Sequence, residues 1–349
     1  MSGLLDYIYS FYQSPPPSIE KQQVNRVYGW KKGNCYNLAD KYIFDLVRGH
    51  SNIVSVDLRS NCPEVYDQGH LGSCTANAIG FCYHYDELKQ KESTPFTPSR
   101  LFIYYNERNM EGHVDTDSGA EIHDGIHVIN TIGVCDENDW VYDIAKFTEK
   151  PSQECYSIAE KHRTVDYRAV EQSIEQLKAA LIQGFPVVFG FTVYESFESD
   201  DVAKTGLMPM PKDGEKILGG HAVAVVGFDD SKKLFTIRNS WGSGWGDKGY
   251  FYMPYEFITN PDMASDFWTV TKTKDAPWQS NTSTILSSES QTVDDECENS
   301  SDTSKEILEN HLKTKIIYDK IMSIKNTARS TSPLILVGKR NRKNKLNQS

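Results

Sequence analysis

The chain has 349 residues, enough for two structural lobes and flanking tails. Its formal net charge is −11, which argues against nucleic acid or an anionic membrane as partner, since both need a basic footprint. The first twenty residues have no basic leader region, and Asp6 breaks their only apolar stretch, so no secretory signal is expected. The longest later apolar run, near Pro186–Val193, is too short to span a bilayer. These features predict a cytoplasmic or intracellular protein, or a virion-associated one, working as a monomer.

In chain order, residues 1–55 form a lead-in or short pro-like segment with a Pro15-Pro16-Pro17 stop. The sequence leaves open whether it is removed, covers a cleft or packs behind one. Residues 56–274 carry the patterns of a folded core. Helical spacing runs from Cys74 through Glu87, over Pro98–Arg108, over Gly119–Thr131 and over Val170–Gln183, with Gly133 and Gly184 as stops. Strand signals follow at Pro186–Val193, His221–Phe228, Leu234–Asn239 and Gly249–Met253. Helices followed by strands predict an α+β chain, with a helical lobe over about 60–165 and a β lobe over about 166–270.

Residues 275–305 are acidic and Ser-rich, a composition that cannot offset ordering entropy, and read as a disordered linker. Residues 306–325 regain helical spacing through Leu308, Leu312, Ile316, Ile317 and Ile321; residues 326–349 form a basic tail. The seven cysteines are irregularly spaced and include no CxxC pair, so a zinc ribbon or thioredoxin-type site is not expected. Most should be buried free thiols, Cys82 and Cys155 among them.

Three local signatures carry chemistry. In Asp67-Gln68-Gly69-His70-Leu71-Gly72-Ser73-Cys74-Thr75, a Gly-rich loop turns into a helix at a cysteine. The helix N-terminus favours thiolate, the reactive form. Gly72 allows close approach of a substrate backbone. The Gln68 amide and the Cys74 N–H could together hold an oxyanion. In Gly219-Gly220-His221-Ala222-Val223, a histidine opens an apolar strand. In Arg238-Asn239-Ser240-Trp241-Gly242, an asparagine ends a strand, where it could fix the His221 tautomer while Trp241 covers the bond. His123 and His127, four residues apart, and His70 read as surface or groove-wall residues, not metal ligands.

Together these motifs resemble the papain family of cysteine proteases over about residues 56–270. His221 follows Cys74 by 147 residues and Asn239 by 165; the family's interval is roughly 130–150. The run from Asn239 to Tyr250 fits the family's NSWGxGWGxxGY pattern throughout. The resemblance implies a two-lobe fold with a β-barrel-like second lobe and the active site in the cleft between the lobes. It implies Cys74 as nucleophile, His221 as acid–base partner, Asn239 as orienter and Gln68 in the oxyanion hole. Trp241, Gly119, Gly72 and Gly220 would shield the site or bind substrate. It also implies a thiolate–imidazolium pair at rest, a protein or peptide substrate, and no cofactor or metal.

The chain departs from the family at Leu71, which replaces a cysteine, and at Thr75, which replaces Trp or Tyr. The disulfide partner region, Asp117-Ser118-Gly119, also lacks cysteine, which fits a reducing compartment. The glycine pair that lines the family's groove is reduced to Gly119. The lead-in is shorter than the long inhibitory segment of lysosomal members; the whole resembles leaderless members of bacteria and large DNA viruses. An acyl transferase with the same Cys–His order, or an inactive binding module, are the alternatives; Asn239 in place of an acid weighs against the first and the intact triad against the second.

Overall fold

The structure is a computed structural model that describes residues 26–33, 41–42, 53–91, 94–164 and 166–271. The expected linker, amphipathic helix and basic tail lie outside these residues, as does most of the lead-in.

The helical part begins with α1, Cys74–Lys89, which is buried on nearly every face. It runs through the core rather than over the surface, with Thr75, Asn77, Asp86 and Glu87 buried among its apolar residues, and packs against α2 (Arg100–Glu111), α3 (Ile122–Thr131) and the sheet. Ser99 caps α2 by accepting the Phe102 N–H at 3.1 Å, and Gly112 ends it at φ 79°. The proline expected near the start of this helix lies just outside it, in an extended bridge with Asp136. Gly119–Glu121 likewise precede α3 instead of opening it, and Ala120 pairs with Trp30. Two shorter helices follow, α4 (Gln153–Ala159) and α5 (Ile174–Ile182). The helical pattern expected from Val170 starts four residues late because Asp166–Val170 is a strand, and Ser173 caps α5 through the Gln176 N–H.

Eight strands form one sheet: β1 (Lys41–Tyr42), β2 (Ser55–Asp57), β3 (Asp166–Val170), β4 (Val187–Tyr194), β5 (Ile217–Asp229), β6 (Leu234–Arg238), β7 (Tyr250–Pro254) and β8 (Ala264–Thr271). Their order is β1-β3-β8-β4-β5-β6-β7, with β2 on β5. The fold is α+β, with a helical lobe and a β-sheet lobe. Among the described residues no pairing joins the terminal strands β1 and β7, so the sheet is an open path rather than a closed barrel. Two short helices, α6 (Asp200–Thr205) and α7 (Tyr255–Ile258), sit on the sheet's connections. No described helix is long and apolar enough to cross a membrane.

The long strand β5 positions the site. It pairs with β4, β6 and β2 at once, and its residues from His221 to Phe228 are buried. His221 therefore stands on backbone held by the β4 ladder, opposite Phe191, three residues before the pairing with β6 begins at Ala224.

Candidate active site

Cys74 is the first residue of α1, and its side chain is fully buried. Ser73, just before it, is fixed from within the helix: Asn77 Nδ2 donates to the Ser73 carbonyl at 2.9 Å and to its Oγ at 3.0 Å. The sulfur lies against β5, where the Ala222 backbone N–H points at it. Burial pushes the Cys74 thiol up to about 11, while the N–H groups of Ala222, Gly29 and Thr75 pull in the other direction.

His221 is also fully buried, and burial pulls its imidazole down to about 4, against the opposing pull of Asn239. Its Nε2 sits 2.8 Å from Asn239 Oδ1. The Ser240 backbone N–H donates to that same oxygen at 2.8 Å. A flipped amide would set its NH2 against this N–H, so the oxygen must face both groups. The His221 proton therefore sits on Nε2, and Nδ1 carries the lone pair. Nδ1 is buried and has no hydrogen-bond partner among the described residues. Trp241 stacks on the imidazole at 4.8 Å between centroids and 24° between planes, shielding the His–Asn bond from water.

Gln68 is held at both ends of its amide. Its Oε1 accepts from Ser240 Oγ at 2.6 Å, and its Nε2 donates to Leu71 O at 2.9 Å. The nucleophile loop and the Asn239 loop are joined through this one side chain, and the Gln68 N–H reinforces the link by donating to Ser240 O at 2.9 Å. His221, Asn239, Trp241 and Gln68 are linked to one another here through Ser240 and the imidazole stack. Gly72, Gly119 and Gly220 line one narrow channel: a Cβ on Gly119 would fall 1.9 Å from Gly29 O and one on Gly220 2.6 Å from Trp30 O, while one on Gly72 would lie in ordinary contact range of Val27 and Gly29.

That channel is occupied by the protein itself. Residues 26–33 run through it: the Ala120 N–H donates to Gly29 O at 2.7 Å, the Lys31 N–H to Ala120 O at 3.0 Å, and the Trp30 N–H to Gly220 O at 3.0 Å. Gly29 lies over Cys74, and Val27 O accepts from Gln68 Nε2 at 3.3 Å, on the donor expected to bind an oxyanion. Gly29 has no room for a side chain, since a Cβ there would fall 1.7 Å from Gly72 O. Upstream, Arg26 lies 3.8 Å over the Trp241 ring and pairs with Glu198, which also accepts from the Tyr28 hydroxyl. With the channel filled, burial favours thiol and neutral imidazole, not the thiolate–imidazolium pair that the resemblance implies.

The missing disulfide has a substitute. Both oxygens of Asp117 accept the Gly72 N–H at 3.0 Å, and Asp117 also accepts from the Tyr104 hydroxyl. Tyr104 in turn accepts the Gly119 N–H at 3.1 Å. One carboxylate thus ties the nucleophile loop to the groove wall, beside Leu71, where the family's cysteine would stand. Thr75, the other departure, donates from Oγ1 to the fully buried Glu107 at 2.8 Å. His123 and His127 lie on α3 with their rings 6.4 Å apart and His123 packed on Trp268; among the described residues no group of three or more side chains could hold a metal. Cys62, Cys74, Cys82, Cys135 and Cys155 are all free.

Sequence reasoning missed Trp30, Asp117, Gly190 and Asp266 as site residues. Gly190 alone gave a local signal, a glycine inside an apolar strand, which marks close approach of other groups.

Comparison with known proteins agrees with this geometry. The family model described as papain family cysteine protease matches residues 53–271. An uncharacterized peptidase C1-like protein of Acanthamoeba polyphaga mimivirus is 52% identical over 217 residues, covering 60% of this chain and 70% of the relative. The crystal structure of xylellain, a cysteine protease from Xylella fastidiosa, superposes with a TM-score of 0.67 at 40% identity, covering 74% of this chain and all of that one. Digestive procathepsin L 3 of Tenebrio molitor shares the fold at 21% identity and a TM-score of 0.55, over 71% of this chain and 76% of that one. The chain carries the buried cysteine and the His–Asn arrangement typical of active papain-family machinery; it belongs to the papain family of cysteine proteases and is a cysteine-type peptidase.

Proposed function

We propose that the protein is an endopeptidase in which Cys74 is the nucleophile, His221 Nδ1 the acid–base atom, Asn239 the group that fixes its tautomer, and Gln68 an oxyanion donor. The observation that carries this reading is the His221–Asn239 bond, which leaves Nδ1 unpartnered and buried on the strand whose next residue, Ala222, turns its backbone N–H toward the Cys74 sulfur.

Residues 26–33 must leave before a substrate can bind, and their departure lets water and substrate reach the pair. Sγ then passes its proton to Nδ1 and attacks the substrate carbonyl carbon. The carbonyl oxygen takes up negative charge opposite the Cys74 N–H and Gln68 Nε2, the donor that Val27 O had occupied. Nδ1 returns the proton to the leaving amine, which departs as the acyl-enzyme forms. Nδ1 then takes a proton from water, the hydroxide attacks the acyl carbon, and the thiol is restored. Asn239 keeps the imidazole in one tautomer throughout, and Trp241 keeps solvent from their bond. Gly119 and Gly220 flank the backbone of the bound peptide.

The barrel-like shape of the sheet lobe belongs to the same reading. Register shifts at Val193/Tyr194 and Val225/Gly227 bend the strands, as a curling sheet requires. Residues 1–55 act as a lead-in whose part at 26–33 holds the resting enzyme closed.

Cys74→Ala should lower peptide turnover by roughly 10³-fold or more while leaving the melting temperature close to that of the parent. Parent-like cleavage by that variant would remove Cys74 from the mechanism.

A further inference from the structure

We infer that the pocket now filled by Trp30 is a substrate side-chain pocket selective for tryptophan, and that Asp266 sets this selectivity by accepting the indole N–H. The inference rests on the peptidase reading and deepens it by naming a substrate class.

Gly29 lies over the sulfur, and Trp30 is its neighbour in the chain. Trp30 leaves the channel sideways and buries its ring, keeping 9% of its surface exposed. Two glycines make the space. A Cβ on Gly190 would fall 1.9 Å from the indole, and one on Gly220 would fall 2.7 Å from it. Both glycines lie on paired strands, so the walls are ladder-held backbone that cannot easily shift. The room is therefore fixed in size and suits a large flat ring.

The floor carries polarity. Asp266 is 4% exposed and holds φ +69°, a left-handed backbone that an aspartate adopts only at a local cost. Its Oδ1 accepts from Trp268 Nε1 at 2.6 Å, which pins the carboxyl group. Its Oδ2 is turned to the pocket and accepts from Trp30 Nε1 at 3.4 Å. When Trp30 withdraws, that oxygen loses its partner in a nearly dry site. A phenylalanine or leucine would leave it unpaired, whereas an indole restores the bond. An arginine would pair with the Asp266 carboxyl group but give up far more hydration than the indole does, so its comparison with tryptophan belongs in the test. The preferred peptide thus presents tryptophan at the residue adjoining the one whose carbonyl the sulfur attacks.

The test uses the full-length Trp30→Ala protein, in which the pocket is empty. Quenched fluorescent peptides identical except at that residue carry tryptophan, 1-methyltryptophan, phenylalanine, leucine or arginine. The expected kcat/KM is highest for tryptophan, roughly 10-fold above 1-methyltryptophan, whose ring is alike but has no N–H. Asp266→Ala should bring the two together, and Asp266→Asn, which keeps an acceptor oxygen, should restore much of the difference. Because Asp266 also holds Trp268, the substrate series in the Trp30→Ala protein decides if those variants fail to fold. Equal rates for tryptophan and 1-methyltryptophan, or faster cleavage of the arginine peptide, would overturn the inference while leaving the peptidase reading intact. Should neither this protein nor Gly29→Ala/Trp30→Ala, in which the segment cannot seat, cleave any peptide, the peptidase reading fails, and calorimetric binding of the same peptides to full-length Gly29→Ala/Trp30→Ala/Cys74→Ala protein still decides the pocket: tryptophan binding tightest supports it, and an undifferentiated series overturns it.

Discussion

The two walls of the active-site channel are built in different ways. The sheet wall, with Gly190, Gly220 and His221, is backbone in continuous ladders, and its geometry follows from strand pairing. The helical wall, with Gln68, Gly72, Gly119 and Ala120, is mostly loop, and it is held by side-chain staples: Gln68 to Ser240, and Asp117 to Gly72 and Tyr104. A ladder-held wall should fail only when a reacting group or the space itself is changed. A stapled wall should loosen by degrees, and the looseness should appear in substrate affinity before it appears in the chemical step.

The largest effect should come from the sheet wall. His221→Ala removes the acid–base nitrogen and should lower kcat by roughly 10³-fold or more, as for Cys74. Circular dichroism should show the fold intact, because the β4–β5 ladder does not depend on the imidazole. Next comes the segment between the walls. Gly29→Ala cannot seat as observed, since its Cβ would meet Gly72 O, so the full-length variant should cleave peptides about 10-fold faster than the parent or more. An unchanged rate would mean that residues 26–33 do not limit access.

A smaller effect tests the stapled wall. Asp117→Ala should raise KM by roughly fivefold and leave kcat within about twofold, in keeping with the loss of charge-assisted hydrogen bonds at a partly solvated site. Asp117→Asn, which keeps one acceptor, should recover part of that loss. A fall in kcat with KM constant would show that the staple serves the chemistry and not the groove.

The smallest effect concerns stability. Glu107 is buried beside Thr75, and burial raises its carboxyl pKa to about 8 from an ordinary 4.5. Between those values the native state holds a proton that the unfolded chain has released, so this group's contribution to stability falls as pH rises. Glu107→Gln cannot titrate, and its melting temperature should depend less on pH from about 4.5 to 8 than that of the parent. Parallel profiles for the two proteins would contradict the assignment.

What the sequence made legible was local. The loop-to-helix turn at Cys74, the His221 strand and the Asn239–Trp241 loop each carry their signal within about a dozen residues; Cys74 opens a helix, and His221 bonds to Asn239 beneath Trp241. What stayed hidden was non-local. Trp30 sits in a lead-in without periodicity and acquires its place only from Gly190, Gly220 and Asp266, far along the chain. Strand β8 is central to the sheet, between β3 and β4, yet Ser265 and the left-handed Asp266 interrupt its apolar pattern. Strand β3 carries Asp166 and Arg168, which pair with each other and mask its signal. The absent cysteine was visible at Leu71, but its replacement by an Asp117 hydrogen-bond staple needed coordinates.

The most direct test is the rate of Cys74 alkylation by iodoacetamide from pH 4 to 9, read by peptide mass mapping. It compares the full-length parent, Gly29→Ala, and Gly29→Ala combined with His221→Ala. The account predicts slow labelling of the parent, fast labelling of Gly29→Ala at neutral and mildly acidic pH, and loss of that low-pH reactivity without His221. Identical rates in the parent and Gly29→Ala, or a low-pH reaction that survives removal of His221, would contradict it.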